Sequence, residues 1–133
     1  MSFAFPIRVY WEDTDAGGIV FYANYLKFFE RARTEWLRHL GIEQQALREA
    51  TGGMFVVVET QLKYHRPAQL DDLLTVNASM LSKGRSSMVI AQQAWRQANT
   101  PVLLCEGSIR IGWVQASTLK PERIPTSILE RLI

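Results

Sequence analysis

Residues 13 to 25, DTDAGGIVFYANY, set two carboxylates, Asp13 and Asp15, one residue apart, then the Gly17-Gly18 pair, a short apolar run and an aromatic helix start. A carboxylate can attack an electrophile or activate water, and glycine lets backbone approach a ligand closely. The first amides of a helix carry partial positive charge that suits an oxyanion. The order is that of a site that creates negative charge and then stabilises it. The same residues also build an ordinary turn, with short acidic side chains and glycines at positive φ. For an isolated D-x-D-x-G the turn is the better reading.

The elements around this loop are legible from periodicity. Residues 3 to 11 are apolar and aromatic and read as a first strand, with Pro6 suited to a sheet edge. From Asn24 onward, Tyr25, Phe28, Phe29, Ala32, Trp36 and Leu40 recur at three- and four-residue spacing opposite Lys27, Glu30, Arg31, Glu35 and Arg38. That is one amphipathic helix ending near Gly41. A short helical piece over 43–50, the Gly52-Gly53 pair and the strand-like MFVVVETQLKYH follow, and Pro67 stops the strand. Three further strands are expected over 73–81, 87–96 and 102–114, joined by the turn-like SKGR and QANTP, with a short helix over 127–132. Short links imply antiparallel neighbours. A sheet with one long helix covers only one of its faces, which favours self-association.

Composition bounds the function classes. A chain of 133 residues with 47% apolar and 21% charged content fits one globular domain over 1–133, of α+β class. The net charge is only +2 and the basic residues are scattered, which gives little support to nucleic acid as a partner. Cys105 is the single cysteine, so no internal disulfide can form, and no Cys/His spacing suggests a metal. The N-terminal MSFAFPIRVYWE lacks the pattern of a secretory signal, and MFVVV is too short to span a bilayer. The expected location is the cytoplasm.

The segment RVYWEDTDAGGIVFYANYLKFFERARTEWLR, with KYHRPAQLDD and SKGRSSMV further on, resembles the hotdog-fold 4-hydroxybenzoyl-CoA thioesterase family, in particular its YbgC-type, Tol-Pal-associated branch. The resemblance spans nearly the whole chain. It implies a hotdog fold, a curved antiparallel sheet wrapped around one long helix, in homodimers that commonly form homotetramers with sites at subunit interfaces. It also implies an acyl-CoA thioesterase, with acyl carrier protein as a second donor class, envelope-associated proteins as partners, and a position peripheral to the inner membrane. One position departs: Tyr22 stands where many members of that branch carry His.

By that resemblance Asp15 is the catalytic carboxylate, nucleophile or general base, and the backbone amide of Tyr22 polarises the thioester carbonyl, a task that requires no particular side chain. Gly17 and Gly18 give the substrate close access to backbone. The turn carrying Lys83, Arg85, Ser86 and Ser87 is placed against the CoA phosphates, its alternative being an ordinary polar hairpin. No cofactor or metal is implied, CoA being part of the substrate. Glu12 and Asp13 are expected to be solvated charges or loop supports. His39 suits the negative end of a helix, His65 a strand end at the surface, and Glu59 solvent or an ion pair. The aromatic stripe is core first and acyl-pocket wall second.

Two other functions compete. An acyl-binding or scaffold protein of lipid synthesis or the cell envelope, with little turnover, would not need an intact Asp15 loop. A dehydratase of hydroxyacyl thioesters would want a loop His beside a helix carboxylate, and no such pair appears.

Overall fold

In the computed structural model, residues 3–132 are described. The elements run β1 (Phe3–Arg8), α1 (Tyr25–His39), α2 (Gln44–Thr51), β2 (Gly53–Tyr64), β3 (Leu73–Lys83), β4 (Ser87–Arg96), β5 (Val102–Gln115) and α3 (Thr126–Leu129), with short 3-10 turns at Trp11–Asp13, Tyr22–Asn24 and Glu130–Leu132. The five strands form one antiparallel sheet in the order β1-β3-β4-β5-β2. Pro6 lies on β1, an edge strand opposite Thr75, where a missing N–H costs no ladder bond.

The sheet buries one face against α1. Alternate residues point to it: Leu74, Val76 and Ala78 from β3, Met88, Ile90 and Ala94 from β4, Ile109, Ile111 and Trp113 from β5. They meet Tyr25, Phe28, Phe29, Ala32 and Trp36, the helix stripe that the spacing predicts. One core position is polar. Gln92, fully buried, donates from Nε2 to the carbonyls of Phe29 (3.0 Å) and Asn77 (3.2 Å) and accepts at Oε1 from Arg33 Nη1 (3.0 Å). These bonds offset the desolvation of its amide and tie the middle of α1 to the sheet. Burial pushes the Arg33 guanidinium below its ordinary value, and Glu30 one turn earlier opposes that shift.

Two strand boundaries shift by two residues or more from expectation. β1 ends at Arg8 rather than continuing to Trp11, because the Asp13 carboxylate takes the Tyr10 N–H at 2.8 Å and draws the chain into a 3-10 turn. Trp11 is thereby left 82% exposed despite its apolar surface. β3 extends past Leu81 to Lys83.

Candidate active site

The loop between β1 and α1 is a small hairpin with a bridge pairing Thr14 with Val20. Asp15 N–H donates to Ile19 O (2.9 Å), Gly18 N–H returns to Asp15 O (3.0 Å), and Gly17 N–H donates to Asp15 Oδ1 (2.8 Å). A Cβ at 17 would stand 3.2 Å from Asp15 Oδ1, so a larger residue there would push the carboxylate aside by a few tenths of an ångström. Gly18 adopts φ +80°, a conformation that L side chains rarely take. The Asp15 side chain is exposed, and among the described residues Gly17 N–H is the one hydrogen bond to its carboxylate. Its second oxygen has no hydrogen-bond partner among the described residues.

Asp13 behaves differently. It is only 5% exposed, so of its two expectations the solvated charge fails and the loop support holds. Oδ2 accepts from Tyr10 N–H at 2.8 Å, Oδ1 accepts from Asn24 Nδ2 at 2.7 Å, and its carbonyl accepts from Phe21 N–H at 3.0 Å. A carboxylate this deep is tolerated because each oxygen has a donor. Glu12 is exposed, as expected.

Tyr22 opens the 3-10 turn that leads into α1. Its N–H belongs to the first turn, where no intrahelical acceptor exists, and it has no partner among the described residues. Neither that turn nor the start of α1 carries an acidic residue, and the carboxylate held at the helix start is that of Asp13, against the N-cap residue Asn24. The Tyr22 side chain is 64% exposed, while its carbonyl accepts a hydrogen bond from Tyr64 Oη at 3.0 Å. Beside it lies an open, mainly apolar cleft of about 270 Å³ walled by Ile19, Tyr22, Tyr25, Tyr64, His65 and Pro67. The rings of Tyr25 and Tyr64 meet edge-on with centroids 5.7 Å apart, and those of Tyr22 and Tyr64 at 6.3 Å. Burial raises both the Tyr25 and the Tyr64 hydroxyl above their ordinary value; Tyr64 Oη is the donor to Tyr22, whereas Tyr25 Oη accepts from Ala68 N–H at 3.2 Å.

Asp15, Gly17, Gly18 and the Tyr22 amide thus stand together on one loop. Lys83, Arg85, Ser86 and Ser87 do not join them within the chain. Asp15 lies near the Leu73 end of β3 and this turn at the other, separated by a strand on the order of 30 Å long at about 3.3 Å per residue. The turn is fixed by backbone: Ile124 N–H donates to Arg85 O (2.8 Å) and Trp113 N–H to Ser86 O (2.7 Å), while Ser87 Oγ accepts from Arg110 (3.2 Å). Lys83 and Arg85 are exposed.

The remaining candidates take structural parts. His65 contacts Glu106 at 2.7 Å, Glu59 pairs with Arg110 at 3.7 Å, and the His39 ring packs on Phe3 with centroids 5.4 Å apart. Among the described residues no group of three His, Cys, Asp or Glu could hold a metal, and no helix is long and apolar enough to cross a membrane. Asn24 and Tyr64 were not singled out by sequence, and their only signal there was position: Asn24 opens the helix pattern and Tyr64 closes a strand.

A five-stranded antiparallel sheet on one long helix, with a carboxylate loop at the helix start, is a hotdog-fold α+β protein. A model of the thioesterase superfamily matches residues 17–102, and the chain belongs to that family. The acyl-CoA thioester hydrolase YbgC of Escherichia coli O6:H1 is 43% identical over 127 residues, 96% of this chain and 92% of that one. A probable thioesterase from Bartonella henselae has 32% identity and a TM-score of 0.86, covering 94% of this chain and all (100%) of the other. The 4-hydroxybenzoyl CoA thioesterase from Pseudomonas sp. strain CBS-3 superposes with a TM-score of 0.91 over 98% of each chain at 20% identity, a likeness of fold.

Proposed function

We propose that this protein is an acyl-CoA thioesterase that hydrolyses its substrate to free acid and CoA thiol, with Asp15 and the Tyr22 amide as its chemical centre. The observation that carries the reading is the exposed Asp15 carboxylate, held at one oxygen only, on the same loop as an unpartnered helix-start amide beside an apolar cleft. The YbgC relative supports the reaction class.

As general base, Asp15 takes a proton from water while the water oxygen bonds to the thioester carbon; the tetrahedral adduct then collapses, the C–S bond breaks, and the proton held by Asp15 passes to the departing CoA thiolate. As nucleophile, its carboxylate bonds to that carbon, the thiolate leaves, and water hydrolyses the resulting anhydride. On either route negative charge grows on the carbonyl oxygen, where the Tyr22 N–H donates without having to reorganise. The rings of Tyr22, Tyr25 and Tyr64 offer the acyl group an apolar wall.

The active form is a homodimer, or a homotetramer built from such dimers. β2 is an unpaired edge twelve residues long, with Val57 and Val58 exposed at 51% and 56%. Two copies of one edge strand pair antiparallel across a two-fold axis. The Gly53 end of the partner's strand then lies beside this chain's Tyr64 end. The Gly53 end is also the end where β4 and the turn of Lys83, Arg85, Ser86 and Ser87 begin. Pairing therefore brings a turn of the second copy to the end of the sheet that holds Asp15, which supports its role on the CoA phosphates. The same reading keeps acyl carrier protein as a second donor, a cytoplasmic setting at the periphery of the inner membrane, and Tol-Pal envelope proteins as partners.

The test is release of free thiol from acyl-CoA esters of graded chain length and from acyl carrier thioesters. Turnover on at least one CoA series is expected. Saturable binding without thiol release would replace the enzyme by an acyl-binding scaffold.

A further inference from the structure

Two residues outside the reacting pair hold it together, and they bracket it evenly. Asp13 precedes Asp15 by two residues, and Asn24 follows Tyr22 by two. The Asn24 Nδ2 to Asp13 Oδ1 bond, 2.7 Å and buried, closes a ring of chain that contains both proposed reacting groups. The Phe21 N–H to Asp13 carbonyl bond, 3.0 Å, makes a second tie across the same ring, and the Tyr10 N–H fixes the other carboxylate oxygen at 2.8 Å. A hydrogen-bonded carboxylate buried to 5% exposure is a costly way to shape a turn that Ser or Asn could shape at the surface.

We propose that the Asp13–Asn24 pair is a positioning brace that sets the Asp15 carboxylate against the Tyr22 amide, so that the thioester carbon fits between them. This rests on the assignment of Asp15 and the Tyr22 amide made above. Neither brace residue touches substrate. Asp13 has a donor on each oxygen from Tyr10 and Asn24, and both residues of the pair are buried, at 5% and 7% exposure. Their effect is on geometry alone, and a displacement of about 1 Å at a reacting pair is enough to cost on the order of 100-fold in rate.

The bond pattern offers an exchange experiment. Asn24→Asp alone opposes two carboxylates that repel unless one takes up a proton, so the variant is assayed across the alkaline range where both ionise, whereas Asn24→Ala only deletes the donor. In the double variant Asp13→Asn/Asn24→Asp, the amide introduced at 13 accepts from Tyr10 N–H through its oxygen and donates through its nitrogen to the carboxylate introduced at 24. All three partners are satisfied again with the polarity reversed. Thiol release is measured per folded enzyme, well below each variant's Tm, with kcat and KM separated.

The brace predicts that Asn24→Asp loses about 100-fold in kcat and Asn24→Ala roughly tenfold or more, both with KM little changed, and that the exchange variant recovers most of the loss. A merely structural role would lower Tm and leave kcat per folded molecule intact. The proposal is overturned by a folded Asn24→Ala enzyme with wild-type kcat, or by a folded exchange variant as slow as Asn24→Asp. Asn24→Ala removes one bond without adding charge, so it keeps the test open if Asn24→Asp does not fold. Asp15→Asn run in parallel separates the two levels. If it retains activity, the site assignment itself fails; if it is inactive while the Asn24 variants are normal, the brace alone fails.

Discussion

At the scale of single residues, the function proposed for Tyr22 is a backbone one, which leaves its side chain free to vary. Its N–H is the open donor of the helix start, and its ring is 64% exposed with no hydrogen bond from the hydroxyl among the described residues. Tyr22→Phe is therefore expected to keep most of kcat, and Tyr22→His to be tolerated, since neither exchange alters the amide. Steady-state thiol release checks this, and a collapse of kcat in a folded Phe variant would give the hydroxyl a chemical part. Asp13 and Asp15 show the converse. They are alike in sequence and two positions apart, yet one is buried with a donor on each oxygen and the other is exposed with a single bond. The D-x-D pattern did not separate them by environment; the resemblance marked Asp15 for chemistry, while the burial of Asp13 depends on Asn24, eleven residues on, folding back over it.

At the scale of elements, legibility follows from whether a residue's environment is set locally. The α1 stripe from Tyr25 to Trp36 was readable because a 3.6-residue period forces those side chains onto one face. Trp11 was misleading, since apolar character placed it in a strand while the Asp13 bond to Tyr10 turned the chain before it. Gln92 was invisible in sequence because its partners come from α1 and β3.

Cys105, on β5, follows the same logic to a measurable end. It is fully buried, and desolvation together with Glu106 pushes its thiol from an ordinary 9.0 up to about 12. The folded protein then holds this proton where the unfolded chain releases it. The contribution to stability is complete below about pH 9 and is lost as pH rises toward about 12. Urea midpoints should accordingly fall through that interval, less so in Cys105→Ala. At pH 8 the native thiol should resist alkylation until the protein is unfolded; rapid native labelling would contradict its burial.

At the scale of the whole molecule, the separation of Asp15 from Lys83 and Arg85 along β3 means that the proposed CoA contacts of this turn require the proposed assembly. The sequence could place the turn next to a strand, but the distance depends on sheet order, and the remedy depends on a second copy. Val57→Asp, which puts a charge on the open β2 edge, should shift the assembly toward single chains in light scattering and raise KM for acyl-CoA. In the assembled protein, Lys83→Ala and Arg85→Ala should chiefly raise KM, with kcat retained, because phosphate contacts are equal in ground and transition states. Added salt should weaken acyl-CoA binding in the wild type more than in these variants, through screening. A short acyl thioester lacking the nucleotide should be indifferent to both. Equal losses on the nucleotide-bearing and truncated substrates would make the turn structural.

The central claim is that the Asp15 carboxylate carries the hydrolysis, and its most direct measurement is kcat of Asp15→Asn. The amide keeps the size of the side chain and the oxygen that accepts from Gly17 N–H, so the loop and the oligomer should survive the change. What it removes is the charge that attacks carbon or takes the proton from water. Folded Asp15→Asn, checked by circular dichroism and light scattering, is expected to release thiol at least about 100-fold more slowly than the wild type at saturating acyl-CoA. A folded Asp15→Asn enzyme with near wild-type kcat would contradict the account.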